Sequence, residues 1–405
     1  MQWPHGNDCV GQYFFVWFGG DAVAALRWIH VLSGLLAIPC AMAQPAVKGG
    51  TGQAPVKVAL VVPLSGTLRA AGPDIVAATQ AWAAEKNAAN GLRGRKLDVR
   101  VYDDESSADG AKRAAARAIA ERVDIFLSCF GTVACMQIAG EARSAEVALL
   151  GPIAGAEVLR SAAFSNVFAT RPAASGEMGA IFRYLSAIGQ QNATVIYQDD
   201  GFGNGYREAL AKSVEAIPGM RIRNQFPIDI ARRNFDDVAA RVVASGEGFG
   251  VVLLSNTPNS VAMIDALEKK GFRGISFNLA AQANAGFVSA MQEKLAAQNL
   301  VASFVTTAPP PNSQMPAAIL YRAALERWAK DAKPGYVGLE AFINAAVLEK
   351  LVDGFSPERI EATLKRHPDG GQIARLPMSY DVPSRSLRGW LDIAVVSKNG
   401  QIRHQ

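Results

Sequence analysis

The strongest constraint in this chain is a rhythm: short, unbroken runs of Val, Leu and Ile, each followed by a stretch with helical spacing. VKVALVVP (residues 56–63) leads into GPDIVAATQAWAAEKNAA (72–89), KLDVRVYDD (96–104) into DGAKRAAARAIAER (109–122), and VDIFLSCFG (123–131) into TVACMQIAGEARSAE (132–146), with VALLGP (147–152) closing the set. A strand that is apolar on both faces must be covered on both, which requires a parallel sheet between layers of helix. Right-handed crossovers then wind helices onto each side, giving an α/β, doubly wound, Rossmann-like layer. A second series of the same kind begins near Arg171 and Pro172 and runs through ATVIYQDD (193–200), RIRNQFPI (221–228), GVVLLSNTP (250–258), GISFNLAA (274–281) and LVASFVTT (300–307). At 405 residues the chain exceeds what one hydrophobic core usually supports, so two lobes are expected. After Pro309, Pro310 and Pro311 the texture changes to amphipathic helices, PAAILYRAALERWAKD (316–331), GLEAFINAAVLEKLVDG (338–354) and SPERIEATLKRH (356–367). The end alternates in strand fashion around Asn399 and Gly400, a hairpin signal.

The first 43 residues read differently. Arg27 precedes an apolar run from Trp28 to Met42 that ends in Ala41, Met42 and Ala43, the pattern of a secretory signal peptide cleaved after Ala43. The run is too short for a comfortable membrane span. Cys40 would suit a lipid anchor, but Pro39 stands where a small residue is needed. Residues 1–26 hold two acids and no organised basic region, so the true start is expected downstream of Met1. Export leaves Cys129 and Cys135 as an even pair in an oxidising compartment, a candidate disulfide. Two unpaired thiols are the other reading, because bridge geometry is not legible in sequence. The formal charge of +5 is spread along the chain without a block of Lys and Arg, which gives no track for nucleic acid.

In an open parallel sheet, small ligands settle beyond the carboxyl ends of the strands, where helix N-termini point free N–H groups inward. Three strand ends in the first series carry small residues there: Ser65 and Gly66, Gly131 and Thr132, and Gly155. A single Ser-Gly turn is an ordinary connector. Three in one lobe suggest a concave floor lined by backbone. DDGFGNG (199–205) and SNTPNS (255–260) do the same in the second series with polar residues, so two facing lobes would enclose a cleft. Catalysis finds little support. Past the leader the only histidines are His367 and His404, both near the C-terminus, which leaves no Ser-His or Cys-His pair near the turns. GFGNG lacks the third glycine of a dinucleotide loop, and no cluster has metal-ligand spacing. Asp103, Asp104 and Glu105 read as a solvated strand end rather than a cation site. No cofactor or metal is expected.

The order of segments resembles the periplasmic substrate-binding proteins of ABC transporters, in the branched-chain amino-acid-binding (Leu/Ile/Val) family with the type I periplasmic binding fold. VALVVPLSG, AANGLRGRKLDVRVYDDESSADGAKRAA, LLGPIAGAEVL, VFATRP, VIYQDDGFGNG and NFDDVAARV carry the resemblance, in that order, over about residues 55–395. It implies a first lobe of residues 55–170 plus 310–377, a second of 171–309 plus 378–405, and a hinge of three crossing strands. In the family, a hydroxyl and backbone groups hold the amino-acid carboxylate, while an acid and aromatic residues take the ammonium and side chain. Here the hydroxyl positions fall on Gly131 and Gly155, with Thr132 adjacent; the aromatic positions fall on Ala71, Phe202 and Asn256. The acidic position falls at 280–282, where there is no Asp or Glu. A free α-amino acid would leave its ammonium without a counter-charge, a cost of several kcal/mol once desolvated. Glu340 and Phe342 are candidates to substitute, although a solvated acid at a helix start is the plainer reading of Glu340.

The sequence is thus read as an exported, periplasmic, monomeric solute-binding protein without catalytic activity, which closes on a small polar ligand and presents it to a membrane permease. A sensor that reports its ligand to a signalling partner, and more remotely a periplasmic hydrolase, are the alternatives. The candidate ligand-binding residues are Ser65, Gly66, Phe130, Gly131, Thr132, Ile153, Ala154, Gly155, Phe202, Asn256, Gln282, Glu340 and Phe342.

Overall fold

The computed structural model describes residues 53–295, 301–351, 353–366, 372–383, 385–396 and 401–404. The expected signal peptide, His367 and the Asn399–Gly400 turn lie outside them. In chain order the first series forms β1 (Val56–Val62), α1 (Gly72–Ala88), β2 (Leu97–Asp103), α2 (Ala108–Ala120), β3 (Ile125–Leu127), α3 (Thr132–Ser144), β4 (Ala148–Leu150) and β5 (Val167–Phe168). These five strands make one parallel sheet in the order β2-β1-β3-β4-β5. β1 lies between β2 and β3 and is buried except at Lys57, which is what its unbroken apolar run requires.

The second series forms α4 (Ala174–Ala187), β6 (Asn192–Gln198), α5 (Gly201–Glu208), α6 (Leu210–Glu215), β7 (Arg221–Ile228), α7 (Phe235–Ala244), β8 (Gly250–Leu254), α8 (Thr257–Lys269), β9 (Ile275–Asn278), α9 (Ala285–Leu295) and β10 (Val301–Thr306). The chain then returns to the first lobe with α10 (Pro316–Trp328), α11 (Tyr336–Val347) and α12 (Pro357–Arg366). Short strands follow: β11 (Gln372–Ile373), β12 (Leu376–Pro377), β13 (Ser379–Asp381) and β14 (Ser386–Arg388). Finally β15 (Asp392–Val396) and β16 (Ile402–His404) add antiparallel to the second sheet, whose order is β16-β15-β10-β9-β8-β6-β7.

The fold is therefore α/β with two doubly wound lobes, and the chain passes between the sheets after β5, after β10 and before β15. The last passage falls later than the 377/378 division drawn from the resemblance. Tyr380 and Leu387 lie in the first lobe's core, and the backbone of Ala169 bonds to Arg385 and Leu387 beyond β5. The helix expected to be amphipathic, α11, is instead buried at every residue, because α1 and α10 cover the side that a surface helix would give to water. Its polar residues are then inside: Asn344 donates to Ser128 Oγ (3.0 Å) and Gly151 O (2.9 Å), and Glu340 joins a charged group at the hinge.

Candidate functional site

A cavity of about 230 Å³ lies between the strand ends of the two lobes. Its first-lobe wall follows the sheet edge. After β1, Asp103 Oδ1 accepts the N–H groups of Leu64 (2.9 Å) and Ser65 (3.2 Å), while Ser106 Oγ donates to Ser65 O (2.6 Å) and accepts from Leu68 N (3.0 Å). The turn is thereby tied to the loop after β2. Gly66 has φ +76°, and a Cβ on it would stand 2.7 Å from Glu105 O, so glycine is needed here for the close approach of that loop. Thr67 and Leu68 line the cavity, and the expected contacts Ser65 and Gly66 lie outside its lining. Asp104, read from sequence as a solvated acid, is buried and lines the cavity. Its Oδ1 accepts the Ser106 N–H (2.7 Å), its Oδ2 has no partner, and burial pushes its pKa up to about 6.

After β3 the chain turns at Gly131 (φ +83°) directly into α3, without a side-chain cap. The first N–H groups of α3 have no intrahelical acceptor, and Thr132, Val133 and Ala134 line the cavity. The buried Thr132 Oγ1 also has no partner. Cys129 and Cys135 are joined by a disulfide, Cα to Cα 5.5 Å, so all of residues 130–134 sit inside one short covalent loop at the cavity. Phe130 bridges to Ile153, beyond the end of β4, and the Ile153 carbonyl accepts Gly131 N–H (3.2 Å). Ala154 and Gly155 continue the wall. A Cβ at Gly155 would stand 2.2 Å from Tyr206 Oη and 2.6 Å from Glu177 Oε1, so the residue is small to admit the second lobe.

The second-lobe wall is made differently. Asp200 caps α5 by accepting the N–H groups of Phe202 and Gly203, each at 3.0 Å, and Asn256 caps α8 by accepting Asn259 N–H (3.2 Å). Gln198 links the two caps: its Nε2 donates to Asp200 (2.8 Å) and its Oε1 accepts from Asn256 N (2.9 Å) and Asn259 Nδ2 (3.1 Å). The Phe202 ring packs on Tyr206 at 5.1 Å.

At the hinge, Arg171 lines the cavity with its side chain only 3% exposed. Glu177 Oε1 from α4 lies 3.3 Å away and Glu340 Oε1 from α11 lies 3.6 Å away, yet Arg171 Nε and Nη2 complete no hydrogen bond. Burial lowers the affinity of Arg171 for its proton, but Glu340 and Glu177 outweigh this and hold its pKa above the ordinary value. Burial pushes the Glu177 carboxyl up, and the Tyr206 phenol as well. Glu177 Oε2 accepts Ala280 N–H (3.0 Å) and Glu340 Oε2 accepts the Thr307 hydroxyl (2.6 Å). Arg160 beside them donates to the carbonyls of Gly155, Ala156, Arg171 and Pro172.

Eight sequence candidates thus face one cavity: Phe130, Gly131, Thr132, Ile153, Ala154, Gly155, Phe202 and Asn256. Gln282 does not. It is buried behind the wall, donating to Ser255 O (2.7 Å) and Ser260 Oγ (3.2 Å), and its neighbour Ala281 faces the cavity. Glu340 is neither solvated nor at the cavity, because Arg171 draws it into the hinge. Phe342 packs on the Tyr321 ring at 5.6 Å in the first lobe's core, and Ala71 is core as well. Sequence reading missed Asp104, Gln198, Arg171 and Tyr206. Only Arg171 gave a usable signal, as a lone charge at a strand end otherwise walled by small residues. Among the described residues, no group of His, Cys, Asp and Glu could hold a metal, and no helix is long and apolar enough to cross a membrane.

Two doubly wound lobes, crossed three times by the chain and enclosing a cavity at their strand ends, define a bilobal ligand-binding protein. Residues 55–367 match the periplasmic binding protein family, and the chain belongs to it. Solved structures of the type I periplasmic binding fold share its architecture. An extracellular ligand-binding receptor from Verminephrobacter eiseniae is 21% identical with a TM-score of 0.74, over 86% of this chain and 99% of that one. The leucine-binding protein LivK from Thermotoga maritima is 17% identical with a TM-score of 0.71, over 86% and 97%. The branched-chain amino acid transporter substrate-binding protein LivJ from Streptococcus pneumoniae, solved with isoleucine, is 18% identical with a TM-score of 0.71, over 86% and 98%. No curated protein matches the chain in sequence.

Proposed function

We propose that this protein is an exported solute-binding protein that captures a small organic acid with an apolar body in its interlobe cavity and delivers it to the permease of an ABC transporter, without catalysing a reaction. The observation that carries this reading is the bare start of α3 on the cavity beside the unpartnered Thr132 hydroxyl. Backbone N–H groups at a helix start, with the dipole behind them, favour a carboxylate. Leu68, Phe130, Ile153 and Phe202 supply apolar surface for the rest of the ligand.

An α-amino group finds no acid beside that carboxylate. Asp200 is engaged by its helix, and Glu177 and Glu340 flank Arg171. Asp104 also lines the cavity, but from the end of β2, with β1 between it and the β3 end that leads into α3. The relatives named for leucine or isoleucine are therefore a guide to the fold and to the transport role rather than to this ligand. A thermal-shift panel of amino acids, amides, ureas and small carboxylates tests the reading, since a ligand of the folded state raises the melting temperature. Carboxylates are expected to raise it and leucine, isoleucine and valine are not. Micromolar binding of any of these three, about 8 kcal/mol, overturns the reading.

A further inference from the structure

Arg171 is harder to explain as a structural residue than its neighbour. Arg160 holds the hinge backbone with four well-formed hydrogen bonds to carbonyls. Arg171 is as deeply buried but completes none: it stands between two carboxylates at ion-pair distance, and its Nε and Nη2 are unsatisfied. An unpaired buried donor is costly, and a charged one more so. The side chain also lines the cavity, so its guanidinium is placed to meet a ligand acceptor there while Nε and Nη2 stay turned to Glu340 and Glu177.

The position of the guanidinium can be fixed from its neighbours. Nη2 lies 3.3 Å from Glu177 Oε1, and that oxygen would stand 2.6 Å from a Cβ on Gly155. The cation is therefore close to Gly155, in the loop beyond β4, and β4 pairs with β3, which leads into the bare start of α3. Two donor poles line one ligand-sized cavity: the start of α3, whose first N–H groups have no intrahelical acceptor, and Arg171, which two carboxylates flank without completing a hydrogen bond. Of the four buried charges at the hinge, Arg160 and Arg171 balance Glu177 and Glu340.

We propose that Arg171 is the specificity-determining residue of the cavity: it selects organic acids that carry a second acceptor, a carboxylate, carboxamide or carbonyl, at the hinge end, and it rejects acids that carry an ammonium there. The inference rests on the organic-acid reading and narrows it to two-pole acids. Calorimetry on the purified protein with benzoate, terephthalate and 4-(aminomethyl)benzoate tests it, because the three share one ring and one carboxylate and differ only at the far position. Terephthalate is expected to bind at least about tenfold tighter than benzoate, ~1.4 kcal/mol, and the aminomethyl compound more weakly than benzoate.

The double variant Arg171→Gln with Glu340→Gln keeps the buried charges balanced and is expected to bring the terephthalate-to-benzoate ratio to about one. Arg171→Lys retains the charge without the planar fork and is expected to keep part of the preference. Should the double variant fail to fold, judged by its melting curve, the ranking in the native protein and in the Lys variant still decides. Equal binding of benzoate and terephthalate by the native protein overturns the role of Arg171 and leaves the organic-acid reading standing. Tighter binding of the aminomethyl compound than of terephthalate assigns the hinge pole to Glu177 and Glu340 and overturns it too. If neither acid binds, the proposal and the reading beneath it both fall.

Discussion

The two walls of the cavity are built from the same kind of strand-to-helix turn and finished in opposite ways. Of the four helices whose starts line the cavity, α2, α5 and α8 carry side-chain caps from Ser107, Asp200 and Asn256, and α3 carries none. In the first lobe, Thr132 Oγ1 and Asp104 Oδ2 are also without partners, whereas in the second lobe Gln198 is bonded at both ends of its amide. A wall with unmet donors and acceptors has reason to hold a polar ligand; a wall already satisfied can only cover it. On the proposed function, the first lobe would be the binding surface and the second the lid, with the aromatic pair Phe202 and Tyr206 as its inner face.

The sharpest way to break this division is at the charges the lobes share. Glu177→Ala leaves Arg171 without its nearest acid and Ala280 N–H without an acceptor. It is expected to cost about 3–5 kcal/mol in urea unfolding. A loss under about 1 kcal/mol would mean that the lobes do not depend on this network.

The next effect separates the walls covalently, since the only disulfide among the described residues encloses the first-lobe site. Replacing Cys129 and Cys135 together by Ala is expected to cost about 2–3 kcal/mol of stability and to weaken carboxylate binding through a looser α3 start. Two alkylatable thiols in the unreduced native protein, seen by intact mass, would remove the basis of this expectation.

A smaller effect comes from pH. Asp104 and Asp74 are both pushed by burial to about 6, from an ordinary 3.8, so the folded protein holds protons that the unfolded chain has released. Stability is therefore expected to fall as pH rises from about 4 to about 6. Asp104→Asn should remove its share of that slope, on the order of 1 kcal/mol after screening by solvent. Denaturant midpoints across this range check it, and an unchanged slope would place Asp104 outside the titrating set. The smallest effect belongs to the lid: Asp200→Ala removes the cap of α5 and is expected to cost about 1 kcal/mol of stability while carboxylate affinity changes little. A large loss of affinity would show the second wall to be part of the binding surface and erase the contrast.

Legibility followed the range of the interaction. The strands and their covering helices were readable because a buried parallel strand must be apolar on both faces, and Val56–Val62 and Gly250–Leu254 are written that way. The strand-end residues Gly131, Thr132, Gly155, Phe202 and Asn256 were readable because turn chemistry is local. Glu340 was read as a solvated acid at a helix start, but α11 begins at Tyr336 with no acid in its first turn, and packing beneath α1 and α10 buries Glu340. The turn at Ser65 was readable, but the loop after β2 that holds its backbone, and so which of its residues line the cavity, was not.

The sequence by itself determined the α/β alternation, two lobes, and a row of small residues at the strand ends, because each rests on side-chain periodicity or backbone freedom within a few residues. The tertiary structure decided which polar groups were left without partners. Asp103 and Asp104 are adjacent and chemically identical, yet one ties the turn after β1 and the other keeps a free oxygen at the cavity. Arg171, Glu177 and Glu340 come from a crossover, α4 and α11, and they meet only when the chain returns to the first lobe. Whether a buried group is satisfied depends on every element packed around it, and that is information no stretch of sequence contains.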